Sequence, residues 1–98
     1  MKTVEDICKE ILRNLTESIS KHDELPEDYF KILTIIGEEY GEVAKAVIDH
    51  EWKNAPKEEI IKELYQLAAM CFGFLERLEI TEPLRTGILK VTLKKGKE

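Results

Sequence analysis

Three prolines divide this chain into stretches of helical length, and their positions constrain the fold more than any other feature. Proline lacks a backbone N–H and is tolerated in the first turn of a helix but not in its interior. Pro26, Pro56 and Pro83 therefore mark boundaries, and between them apolar residues recur at helical spacing. Ahead of Pro26, Thr3 with Asp6 three residues on has the form of a capping box. Val4, Ile7, Cys8, Ile11, Leu12, Leu15 and Ile19 then keep one helical face. The spacing predicts a first helix over about Val4 to Ser20, followed by a polar connection at Lys21 to Leu25. Pro26 suits the first turn of a second helix, with Glu27 and Asp28 favourable near its positive N-terminal end. That helix is expected to run to His50 or Trp52. Lys53, Asn54, Ala55 and Pro56 form the next break, and a third helix with Glu58 and Glu59 in its first turn runs to about Glu79.

Beyond Pro83 the pattern is double. Leu84, Ile88 and Val91 fit a helix, while Leu89, Val91 and Leu93 alternate as in a strand, and Gly87 weakens both. A short helix is the favoured reading, with residues 94–98 frayed. The 98 residues contain no internal repeat, low-complexity segment or second domain. The fold expected is all-α, a helical bundle in a single domain spanning 1–98, with two long helices paired antiparallel across a short connection.

Charge and composition narrow the function. Fifteen Lys and Arg against twenty Asp and Glu leave a formal net charge of −5. An acidic chain without a basic tract is a poor ligand for nucleic acid or an anionic membrane. No apolar run reaches bilayer-spanning length, and the N-terminus lacks the continuous apolar core of a signal peptide. Cys8 and Cys71 both fall on apolar helical faces, which suits reduced, buried thiols in a cytoplasmic protein.

The second helix carries the chemistry. Ile36, Tyr40, Val43 and Val47 form one apolar stripe. Ile35 and Ala46 belong to a neighbouring stripe that Glu39 and Glu42 interrupt. The two carboxylates are one turn apart and only about 60° apart around the helix, at the edge of its core-facing side. A bare carboxylate there is costly unless it meets a cation. Gly37 and Gly41 each cost the helix about 1 kcal/mol against Ala, which suggests close approach of another backbone or a ligand. On the third helix, Ile60, Leu64, Leu67, Cys71, Phe74, Leu75 and Leu78 make the apolar side, and Glu63, Gln66 and Met70 run beside it. Taken alone, the Glu38, Glu39 and Glu42 group reads more readily as a solvated helix face than as a metal site, and Glu63 as the partner of a surface cation such as Lys62. Tyr40 and Trp52 can stack on a base but at helical spacing read first as core. His22 and His50, in or near connections, read as surface groups.

Glu38-Glu39-Tyr40-Gly41-Glu42 gives an E-E-x-x-E pattern, and Glu63-Leu64-Tyr65-Gln66 on the next helix stands where an E-x-x-D pattern would. In that order on adjacent helices of a small acidic chain, the two motifs resemble those of the MazG-like all-α nucleoside triphosphate pyrophosphohydrolases. The resemblance covers about residues 29–78. It implies carboxylates on both helices binding Mg²⁺, with Mn²⁺ as a substitute, and a water that cleaves between the α and β phosphates. The products it implies are a nucleoside monophosphate and pyrophosphate. Carried over residue by residue, Glu39, Glu42 and Glu63 are the expected ligands, with Gln66 in the fourth position. Glu38 is an accessory ligand or base. Lys45 and Lys62, beside the acids, are candidates for substrate binding, as are Arg85 and Lys90. The partner implied is a nucleoside triphosphate, and the assembly a homodimer or homotetramer, for which the broad apolar stripes also argue.

Two features depart from the family pattern. Gln66 offers a neutral amide where the family has a carboxylate, which weakens at least one metal site or leaves it bridged by water. No N-x-K-F-x-x-R sequence follows the third helix. A non-catalytic module of the same fold, binding a nucleotide or a protein partner, is therefore the second reading.

Overall fold

The computed structural model of the chain describes residues 2–22 and 26–79. It contains three α-helices, α1 (Val4–His22), α2 (Tyr29–Lys53) and α3 (Lys57–Glu79), and no strand among the described residues. The short helix or strand expected after Pro83, the frayed end at 94–98, and Arg85 and Lys90 lie outside those residues. None of the helices is long and apolar enough to cross a membrane.

Each boundary has a local cause. Asp6 N–H donates to Thr3 Oγ1 at 3.1 Å while Thr3 N–H donates to Asp6 Oδ2 at 3.0 Å, so the capping box forms reciprocally. At the start of α2 the cap is Asp28, with extended backbone and a side chain that accepts from Phe30 N–H at 2.8 Å. Pro26 is thus displaced from the first turn expected of it and sits ahead of the cap, where its carbonyl accepts from the Arg77 guanidinium on α3. α2 ends at Asn54, whose left-handed backbone (φ 60°, ψ 28°) breaks the helix, and Ala55 N–H reaches back to Asp49 O at 3.1 Å. His50 Nδ1 lies 2.7 Å from Ala55 O, which gives this half-buried ring a structural place in the turn instead of the surface position expected of it.

α3 packs against both α2 and α1, whereas α1 and α2 touch only marginally. The contacts on α3 descend as those on α2 ascend. Tyr29 meets Phe74 edge-on at 5.3 Å, Ile35 and Ile36 pack on the cluster holding Ala69 and Met70, and Asp49 and Glu59 line one depression near the turn. α1 joins through Leu15, which is buried with Ala69 and Met70, and through Ile11.

The core uses the narrower stripes and not the broad ones. On α2 the buried positions are Ile32 and Ala46, flanked by half-buried Ile35, Ile36, Glu39 and Val43, so Glu39 stands within the line that faces α3. Tyr40 at 65 % exposure, Val47 at 39 % and Trp52 at 84 % are outside it, contrary to the core reading. On α3 the buried residues are Ala69, Met70, Gly73 and Glu76, about one to three turns along from Gln66, while Leu64, Leu75 and Leu78 are exposed. Small side chains explain the choice, because Ala46, Ala69 and Gly73 let helix axes come close. Cys8 is exposed, which overturns its reading as a packing residue, and Cys71 is half-buried; both are free thiols.

Candidate functional site

The seam that buries Ala46 and Ile32 also carries the acids, since they occupy the same faces of α2 and α3. Glu38, Glu39, Gly41 and Glu42 from α2 and Lys62, Glu63 and Gln66 from α3 line one open cleft of about 660 Å³. Of the seven candidate site residues that the structure describes, six are therefore brought together. The seventh, Lys45, lies in an adjoining depression of about 160 Å³ that shares Glu42 and Glu63 with the first. Lys45 Nζ is 3.2 Å from Asp49 Oδ2, and Lys53 approaches the other Asp49 oxygen at 3.8 Å. Asp49 and Glu59, which also line this depression, were missed in the sequence. The signal for Asp49 was its place one turn beyond Lys45 on the acid-bearing face.

Glu39 is the strained member of the group. Its Oε2 is buried and has no hydrogen-bond partner among the described residues. Burial pushes its carboxyl above the ordinary carboxylate range, and the negative charges of Glu63, Glu42 and Glu38 push it further in the same direction. A carboxylate that is desolvated, repelled and unpaired is poised to gain either a proton or a cation. Glu38 and Glu42 are exposed, and Glu63 and Gln66 half-buried.

The donor chemistry suits a hard divalent ion, for which carboxylate and amide oxygens are the preferred ligands. The acids share the cleft without closing on a point: no group of three or more His, Cys, Asp or Glu among the described residues is placed to hold a metal ion. Gly41 also lines the cleft and has nothing within 4 Å of the position a Cβ would take, as is true of Gly37. The close contact expected at these glycines is therefore not made by the described residues, and at Gly41 the space opens onto the cleft.

No protein-family model, curated protein or solved structure matches this chain.

Proposed function

We propose that the protein is a Mg²⁺-dependent nucleoside triphosphate pyrophosphohydrolase of the MazG-like kind, with α2 and α3 antiparallel and the cleft between them as its active site. The observation that carries this reading is the convergence of both acidic motifs on one open cleft, with a buried, unpaired Glu39 oxygen inside it. The descending order of α2–α3 contacts supports the antiparallel pairing. A cytoplasmic location and a homodimer or homotetramer belong to the same reading.

In this reaction a water oxygen bonds to the α-phosphorus and the bond from that phosphorus to the αβ-bridging oxygen breaks. The electron pair of the broken bond leaves with pyrophosphate, and a carboxylate takes the water's proton. Glu38, exposed beside Glu39, is the candidate base, with Glu39 sharing that role or holding the ion. Glu39, Glu42 and Glu63 would bind Mg²⁺ or Mn²⁺, with the Gln66 amide oxygen as a neutral fourth donor. A Mg²⁺ held there supplies charge neutralisation for the triphosphate and lowers the pKa of a water bound to it. Lys62 is the one cation lining the main cleft among the described residues, and it offers a counter-charge to phosphate. Lys45 offers a second in the adjoining depression. Release of pyrophosphate from a panel of triphosphates, with and without Mg²⁺, tests the proposal; silence across the panel would sink it.

The second reading is a non-catalytic module that binds a nucleotide or a protein partner. It is favoured by Gln66 in place of an acid and by the absence, among the described residues, of a closed ligand group. Nucleotide binding by calorimetry without pyrophosphate release would establish it.

A further inference from the structure

Trp52 exposes 84 % of its surface, more than any other large apolar side chain among the described residues, although it belongs to the helix that carries the acids. The face it occupies is that of the cleft. Gly41, Lys45, Ile48 and Trp52 follow one another at steps of four, three and four, and at 100° per residue Trp52 points within about 20° of both Gly41 and Lys45. Gly41 lines the acidic cleft and Lys45 the depression that adjoins it. The indole therefore stands on the same side of α2, past the depression and toward the Asn54 turn. None of the chain's other aromatic rings is so placed. Tyr29 and Phe74 pack on each other at the opposite end of the pair, with Phe30 next to Tyr29, and Phe72 lines an apolar hollow with Leu75. Tyr65 lies beneath Lys2 Nζ, 5.6 Å from its centroid. Tyr40 points about 100° from Gly41 and about 140° from Lys45.

We propose that Trp52 is the surface on which the base of a bound nucleotide stacks, so that the ligand lies along α2 with its phosphates at the acids and its base near the turn. This placement rests on the reading of the cleft as a nucleotide site, catalytic or not. Glu42, which lines both cleft and depression, and Trp52 are ten residues apart, a rise of about 15 Å. A helical side chain leans back over the turn before it. That brings the indole to the level of Ile48 and Asp49 and leaves about 10 Å to the level of Glu42. Ribose and an α-phosphate bridge such a gap. Lys45 stands within it, 3.2 Å from Asp49 Oδ2, as a cation for a phosphate passing between ring and acids. An aromatic face adds affinity for any base, because every base has a π-face, and it does so without a hydrogen-bonding code.

Trp52 is the chain's one tryptophan, so tryptophan emission reports on this ring alone. The full chain, with Mg²⁺ present, is titrated with the αβ-methylene analogues of adenosine, guanosine, cytidine and uridine triphosphates, which resist cleavage between the α and β phosphates. Inorganic triphosphate, which has no base, is titrated alongside, and calorimetry gives the affinity in each case. A bound analogue should quench the emission in step with its binding, while inorganic triphosphate should bind without that quench. Trp52→Ala should lose about tenfold in affinity for the analogue and nothing for inorganic triphosphate, and Trp52→Phe should keep most of the analogue's affinity. The ring lies on the surface, so the helical circular dichroism of both variants should match the parent's, and the emission measurement needs no variant at all. Analogue binding that leaves the emission unchanged, or that a folded Trp52→Ala does not weaken, overturns the stacking and leaves the nucleotide reading standing. If neither the analogues nor inorganic triphosphate bind, both fall together.

Discussion

Glu63 on α3 raises the pKa of Glu39 on α2 more than Glu42 or Glu38 does, although both of those share Glu39's own helix; only burial itself weighs more. The repulsion that matters most at this site is thus between helices. It is created by the packing that buries Ile32, Ala46 and Ala69 along the same faces.

A pH dependence of stability follows. The folded-state pKa of Glu39 is above its ordinary value, so between those two values the folded chain holds a proton that the unfolded chain has lost. Stability from this group is therefore greatest on the acid side and falls as pH rises through the raised pKa. Glu39→Gln removes the fall. Its thermal midpoint at neutral pH should exceed the parent's by on the order of a few degrees, with a flatter profile on the acid side. Thermal melts of both proteins across this range check the sign, and a lower midpoint for the variant at neutral pH would contradict it.

Divalent ions should act on the same repulsion. Mg²⁺ or Mn²⁺ at a hundred times its dissociation constant would add about 2.7 kcal/mol to the folded state and raise the melting midpoint accordingly. Glu39→Gln and Glu63→Gln should lose most of that increment. Glu17→Gln, which breaks an exposed 2.6 Å pair with Arg13 on α1, should keep it. A parent midpoint indifferent to millimolar Mg²⁺ would favour the non-catalytic reading.

Gln66 separates the two readings most directly. Gln66→Asp, with Gln66→Glu to control for side-chain length, places an anionic oxygen in the cleft one turn from Glu63. An enzyme working with a weakened site should bind Mg²⁺ more tightly and keep equal or higher activity. If the amide instead recognises the ligand by hydrogen bonding, both variants should lose nucleotide affinity by about 1–3 kcal/mol at saturating Mg²⁺, measured by calorimetry. No change in Mg²⁺ affinity for either variant would place Gln66 outside the metal site.

Gly41→Ala offers a contrast between stability and binding. Beyond the neighbouring residues and backbone of its own helix, no described atom lies within 4 Å of the added methyl, so α2 should gain about 1 kcal/mol in denaturant unfolding. The methyl would project beside the acids, and a ligand that approaches the α2 backbone there should bind more weakly. Asp28→Ala, by removing the cap on Phe30 N–H, should cost about 1 kcal/mol by the same measurement and leave ligand affinity alone.

How far the chain could be read from its sequence differs from element to element. The Thr3–Asp6 box, the three helices and the grouping of six site residues were legible, because caps and motif spacing act locally or along one helix face. Which face each helix buries was not. α2 and α3 are apolar on two sides, and periodicity ranks the sides by hydrophobic bulk. Within the chain, packing instead selected Ala46, Ala69 and Gly73, whose small size lets the helices approach, and left Leu64, Leu75 and Tyr40 outward. Pro26 misled by one turn because Asp28, with its side-chain oxygen on Phe30 N–H, is the stronger start signal.

The α2–α3 pair is pinned at both ends. Near residue 54 the left-handed Asn54 and the His50–Ala55 contact fix the turn, and at the other end Tyr29 is held on Phe74 and Pro26 on Arg77. Two rods tied at both tips cannot swing apart to relieve like charge between them, so the repulsion between Glu39 and Glu63 stays with the middle turns, and a cation or proton in the cleft should steady both helices at once. Amide exchange should accordingly slow along the middle turns of α2 and α3 together, with little change at the tips.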